Sequence, residues 1–178
     1  MKDSQNDLVS LLNSNVDKSS TRLSIYAGAG GVDAFLWVEI LLHMITKWAE
    51  SKNFTIAQLG KVEDDEMGIQ SVTIKIMGDY AYGLLKSEEG IHQLVRIPPH
   101  NTSNRLQLSF ASICLSPIAE EQIELSDKEE KTLVQIRNYT LDPYKKIKDL
   151  RTNFETADTE KVLSGDLDPF ILRYLESL

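Results

Sequence analysis

The 178-residue chain carries 27 acidic against 19 basic side chains, a formal net charge of −8, with 42% hydrophobic residues. That size can bury a real core and predicts one compact domain. The carboxylate surplus excludes a protein that coats phosphate by bulk charge, so any nucleic-acid contact has to be local. No apolar run reaches membrane-spanning length, because Glu39 and His43 interrupt the richest stretch, 35–45. Met1 precedes a polar segment with no apolar h-region, so no secretory signal is expected, while an organellar leader lost from a longer precursor stays open. The lone Cys114 leaves no internal disulfide and no cysteine metal cluster, and fits a reducing compartment.

Residues 1–21 are Ser/Asn/Asp-rich and read as the end of an upstream helix followed by a linker. A strand over 22–26 runs into Gly28-Ala29-Gly30-Gly31, a tight turn that needs positive φ. The helix over 33–50 has one narrow polar stripe, Glu39, His43, Thr46, Lys47 and Glu50. A helix apolar on every other side belongs at the centre of a fold.

Strands are predicted over 54–59 and 69–77, joined by the solvated acidic turn at 63–66. A short helix over 80–87 leads to a strand over 91–97, which Pro98-Pro99 stops in an exposed turn through Ser103. A long strand over 105–115 follows. Its alternation groups Cys114 with Leu106, Leu108 and Phe110, which predicts a packed thiol. After a charged stretch, 120–131, come a strand over 133–139 and the basic residues Lys145, Lys146, Lys148 and Arg151. Two helices end the chain: one capped near Thr156 or Asp158 and closed at Gly165, the other with Asp168 as N-cap and Pro169 at its first position. Ile171, Tyr174, Leu175 and Leu178 form the apolar face of the second. Strands and helices mixed without strict alternation give α+β, a mixed sheet with a long buried central helix.

The stretch from Gly78-Asp79-Tyr80-Ala81-Tyr82-Gly83 through Glu88, Gly90 and His92 to Leu94-Val95-Arg96 is very similar to the GDYAYGxLxxExGxHRLVR block of bacterial-type peptide chain release factors. Ala27 to Gly31 looks like that family's AGxGG, and Lys47 to Ser51 resembles RWAES. Ile136 to Tyr139 and Ile147 to Thr152 resemble IRSY and IKDLRT, followed by an LDPF-type helix. The similarity covers 22–178 and is closest to the class reading UAA and UGA. It implies the decoding superdomain (domains 2 and 4), built from 22–124 and 133–178.

Three departures carry the functional expectation. The codon-reading Ser-Pro-Phe of the family aligns with Pro98, Pro99 and His100. Its His-Thr on the next strand aligns with Gln107 and Leu108, and Leu108 has no hydrogen-bonding group. The domain bearing Gly-Gly-Gln has no room, since only 125–132 stand in its place. The resemblance therefore implies no peptidyl-tRNA hydrolysis, and it is strongest to a land-plant plastid paralogue.

That resemblance implies a chloroplast RNA-binding protein protecting the 3′ end of an organellar transcript, located in the stroma, with mitochondrion or bacterial cytoplasm as alternatives. A ribosome-bound factor without hydrolysis is the second reading, and a protein-interaction scaffold is the third. The candidate RNA contacts are Arg96, Pro98, Pro99, His100, Asn101, Thr102, Ser103, Asn104, Arg105 and Gln107, plus Lys145, Lys146, Lys148 and Arg151. Amide and hydroxyl side chains on an exposed loop suit unpaired bases. The Lys cluster reads equally as cations balancing an acidic chain. His43 reads as a surface residue and His92 as structural. No catalytic constellation, cofactor or metal is expected.

Overall fold

The computed structural model describes residues 2–118 and 132–178. Of the predicted segments, Glu124, the charged stretch 120–131 and the 125–132 replacement up to residue 131 lie outside the described residues.

Eight strands form one sheet in the order β2-β3-β1-β5-β4-β6-β7-β8. They are β1 (Ser20–Ala27), β2 (Thr55–Asp64), β3 (Gly68–Met77), β4 (Gly90–Arg96), β5 (Gln107–Ile118), β6 (Gln135–Thr140), β7 (Lys146–Asp149) and β8 (Glu155–Thr156). All pairs are antiparallel except β4 with β6. The helices are α1 (Lys2–Ser10), α2 (Gly31–Ser51), α3 (Ala81–Leu85), α4 (Thr159–Leu163) and α5 (Asp168–Glu176), with 3-10 turns at Val16–Lys18 and Lys86–Glu88. The α+β reading and the central helix stand as expected; the short strand β8 carries no sequence signal.

On α2 the stripe of Glu39, His43, Lys47 and Glu50 is exposed while Trp37, Val38, Leu41, Met44, Ile45 and Trp48 are buried. Leu23 and Ile25 of β1 and Val72, Ile74 and Ile76 of β3 share that core. Trp37 keeps its indole N–H satisfied inside, donating to the His92 carbonyl at 3.0 Å. Its ring stands edge-on to Tyr139 with centroids 4.8 Å apart. Truncating such a buried aromatic to Ala costs about 3–5 kcal/mol. No helix among the described residues is long and apolar enough to cross a membrane.

Several local expectations are corrected. The amino-terminal residues are not a detached linker: Leu8 is buried in the core, and buried Asp17 accepts from Lys86 Nζ at 3.0 Å. Asp168 is the first residue of α5 and caps nothing with its side chain. Its carboxylate instead accepts from Trp48 Nε1 at 2.9 Å and is paired with Lys52. Leu178 is exposed beyond the end of α5, whose buried residues are Phe170, Ile171 and Leu175.

Cys114 is half-buried, not packed in the core. The register sets Ile113 and Leu115 opposite Ile25 and Leu23, so the face toward α2 belongs to them. Leu106 and Leu108 are about half exposed for the same reason.

Candidate nucleic-acid interface

The loop between β4 and β5 is held from below. The Ile97 N–H donates to Asp142 Oδ2 at 2.8 Å, and Pro98 is buried, which corrects its expected place in an exposed turn. Asn101 N–H donates to the Pro98 carbonyl at 3.1 Å, closing a tight turn. Asn101 Oδ1 then accepts from Ser103 N–H at 2.8 Å and Ser103 Oγ at 2.6 Å, the local bonding that Asn offers a turn. Asn104 takes a left-handed conformation, φ 54°, which Asn tolerates better than most residues. Above this frame Pro99, His100, Thr102, Ser103, Asn104 and Arg105 are exposed.

Asp33, in the first turn of α2, lies fully buried beneath the loop. It accepts from Arg96 Nη2 at 2.6 Å and Nε at 3.2 Å, and from Ser109 Oγ at 3.0 Å. Gln107 Nε2 donates to the Gly30 carbonyl. Gly30 has φ 130°, and a Cβ there would come within 2.8 Å of Ser109 Cα, so the turn needs glycine for conformation and for space. Arg96 and Gln107 thus fasten the base of the loop. Arg96, only 12% exposed and already neutralised, has no charge left over for a phosphate.

The second group of candidate cations does not converge. Arg151 is turned inward, donating to Asp149 at 2.8 Å and to the Ser87 carbonyl at 2.6 Å, with its guanidinium 4.3 Å from the Tyr174 ring centre. Lys145 pairs with Glu160 at 2.8 Å, and Lys146 with Glu155 at 3.6 Å. Lys148 has no ion pair among the described residues. The reading of these residues as balancing charge fits three of the four.

The largest polar array is one that no single segment announces. Arg137 is fully buried and donates to both Glu88 oxygens at 2.6 and 3.0 Å and to Asp149 at 3.2 Å. The Phe170 ring centre lies 4.2 Å from its guanidinium carbon. The Arg137 Nη1 also reaches the Tyr139 hydroxyl at 3.2 Å, which lies 2.9 Å from His92 Nδ1. His92 Nε2 is 2.8 Å from the Glu88 carbonyl. A carbonyl only accepts, so Nε2 carries the proton and Nδ1 accepts from the tyrosine.

Burial, then the nearby Arg137 charge, pushes the His92 pKa down to about 4. Burial alone would raise Glu88, but the Arg137 charge and hydrogen bonds outweigh it and hold the carboxyl below its ordinary value. Burial likewise works against the Asp149 carboxylate, and bonds from Arg151 and Arg137 hold it low. His92 is therefore structural, as expected, and His43 lies on the exposed stripe. The signal for the array was present in the sequence: Glu88, His92, Arg137, Tyr139, Asp149 and Arg151 all fall in the blocks that resemble the release factors. Those blocks record a buried charge network that ties β4, β6 and β7 to α5.

A mixed sheet carrying one buried helix, with a rigid loop beside that helix's glycine turn, defines a translation-factor decoding fold without an enzymatic constellation among the described residues. The family model described as the PCRF domain matches residues 1–113, and the chain belongs to the peptide chain release factor family. It is 29% identical to peptide chain release factor 2 of Clostridium perfringens, over 94% of this chain and 68% of that protein. It is 31% identical to peptide chain release factor 2 of Roseobacter denitrificans, over 93% and 65%.

The solved structure of release factor 2 of Thermus thermophilus superposes with a TM-score of 0.86 at 26% identity, covering 95% of this chain and 71% of that one. The Clostridium match runs over 247 positions, more than the 178 residues here, so that relative carries residues with no counterpart in this chain.

Proposed function

We propose that this chain is a non-catalytic RNA-binding member of the family, acting on a chloroplast transcript in the stroma and protecting its 3′ end. The observation that carries the reading is the β4–β5 loop. Buried anchors hold it rigid, and its rim offers His100, Thr102, Ser103, Asn104 and Arg105 to solvent. A rigid loop loses little ordering entropy on binding, and its imidazole, amide and hydroxyl groups suit the edges of unpaired bases. The side chains that read a stop codon in the family have been replaced here by Pro98, Pro99, His100, Gln107 and Leu108. The extra positions in the release factor 2 alignment support absence of the hydrolytic domain. The plastid assignment rests on the resemblance to the land-plant paralogue.

Membership in a family of release factors favours a second reading, a ribosome-bound factor that occupies the decoding site without hydrolysis. Immunoprecipitation with RNA sequencing, set against co-sedimentation with ribosomes, separates the two. Free transcript ends should be enriched, and the purified chain should release no peptide from ribosomes programmed with UAA, UGA or UAG. Stop-codon-dependent release above the no-factor rate would overturn the non-catalytic reading. Replacing His100, Asn101 and Asn104 together by Ala should weaken cognate RNA by about 1–3 kcal/mol for each base that these side chains read.

A further inference from the structure

Directly opposed residues of neighbouring strands point to the same side of a sheet, so the ladder register sorts every strand residue onto one of two faces. The row containing Ala111, His92, Arg137 and Asp149 faces the core. The intervening rows face the other way, and Arg22, Tyr26, Phe110, Gln93, Asn138 and Lys148 on that side are exposed or half-buried. This outer face spans five strand spacings from β3 to β7, about 24 Å across.

Its chemistry differs from the rest of the molecule. Although the chain carries 27 carboxylates, β1, β3, β4, β5 and β6 contain no Asp or Glu at all. Arg22 lies directly opposite Lys75, and neither has an ion pair among the described residues. Opposed like charges destabilise a sheet, and an anion placed over both would relieve that.

Tyr26 opposes Ser112, and Phe110 lies two residues along the same strand, so the two rings are diagonal neighbours about 7–8 Å apart. Beside them Gln135 Nε2 donates to Gln93 Oε1 at 2.6 Å and also to Asn138 Oδ1. That bonding orients the Gln93 and Asn138 amides and leaves their own N–H groups without a partner among the described residues. At the far side, Lys148 shares a row with Asn138.

We propose that this open face is a second RNA surface, distinct from the β4–β5 loop, and that its occupant is single-stranded RNA. Two bases stack on Tyr26 and Phe110, the Gln93 and Asn138 amides meet base edges, and phosphates sit over Arg22 with Lys75 and over Lys148. Sequence-tolerant binding of unpaired strands combines cationic tracks with aromatic platforms in this way. The assignment rests on the RNA-binding reading above and adds to it where the strand runs.

The test uses the full chain and short random-sequence single-stranded RNA. Ultraviolet cross-linking should place adducts on peptides containing Tyr26 and Phe110. Tyr26→Ala should weaken binding about tenfold, the loss of one stacked base, while Tyr26→Phe should retain it. Arg22→Gln with Lys148→Gln should lower the salt slope by about two units, roughly one per phosphate contact, and circular dichroism checks that each variant is folded. Wild-type affinity and slope in all folded face variants, with binding weakened only by the loop replacements, would overturn the face while leaving the RNA-binding reading intact, and would assign the face to a protein partner. Equal competition by duplex RNA would remove the stacking role and overturn the proposal. A wild-type chain that captures no RNA would end both readings.

Discussion

Mild acid should weaken this fold through His92. In the folded chain the imidazole is neutral, donating from Nε2 to the Glu88 carbonyl and accepting at Nδ1 from Tyr139, whose oxygen receives a bond from Arg137. A second ring proton would lie in a dry interior close to a guanidinium, which is why burial and Arg137 together hold the pKa near 4, against 6.5 for a free histidine. The folded value lies below the unfolded one, so the unfolded state binds the proton first. The stabilisation is complete above pH 6.5 and is lost as pH falls from there through 4. The whole interval is worth about 3 kcal/mol, of which about 2 kcal/mol is gone by pH 5. Glu88 and Asp149 are shifted downward, so their contributions are lost only at lower pH and leave this window to the imidazole. Urea unfolding at pH 7 and pH 5 measures the loss as a fall in midpoint at constant slope. In His92→Gln, whose amide does not titrate, the fall should shrink by that amount. A wild-type midpoint that stays put, or an equal fall in the variant, would refute the reasoning.

Two further substitutions probe the same architecture. Arg137→Met leaves Glu88 without its guanidinium and Asp149 with Arg151 alone, and breaking a buried pair from one side should cost about 3–5 kcal/mol in the unfolding free energy. Gly30→Ala adds a Cβ within 2.8 Å of Ser109 at a backbone angle foreign to alanine. It should lower stability by more than about 1 kcal/mol, measured by thermal unfolding, and should speed proteolysis in the β4–β5 loop whose base it distorts.

What could be read from the sequence was local or carried in blocks. The narrow polar stripe from Glu39 to Glu50 was enough to place α2 at the centre, because a helix apolar on its other sides has nowhere else to go. The alternation of Val72, Ile74 and Ile76 made β3 a half-buried strand, and Gly30 at a positive φ followed from glycine density before a helix. The family blocks named nearly every member of the buried network without revealing that those residues touch.

Tertiary structure decided which groups are available. Alternation along β5 says that Cys114 and Phe110 share a face, but which face meets α2 depends on pairing with β1, and the register gave the core to Ile113 and Leu115. Asp168 looks like an N-cap until the fold brings Trp48 and Lys52, more than a hundred residues away, within hydrogen-bonding reach. Arg96 looks like a phosphate contact until Asp33, 63 positions earlier, takes its charge. A charged side chain's role depends on its nearest opposite charge, and in a sheet that crosses the whole chain this neighbour is set by topology and not by sequence distance.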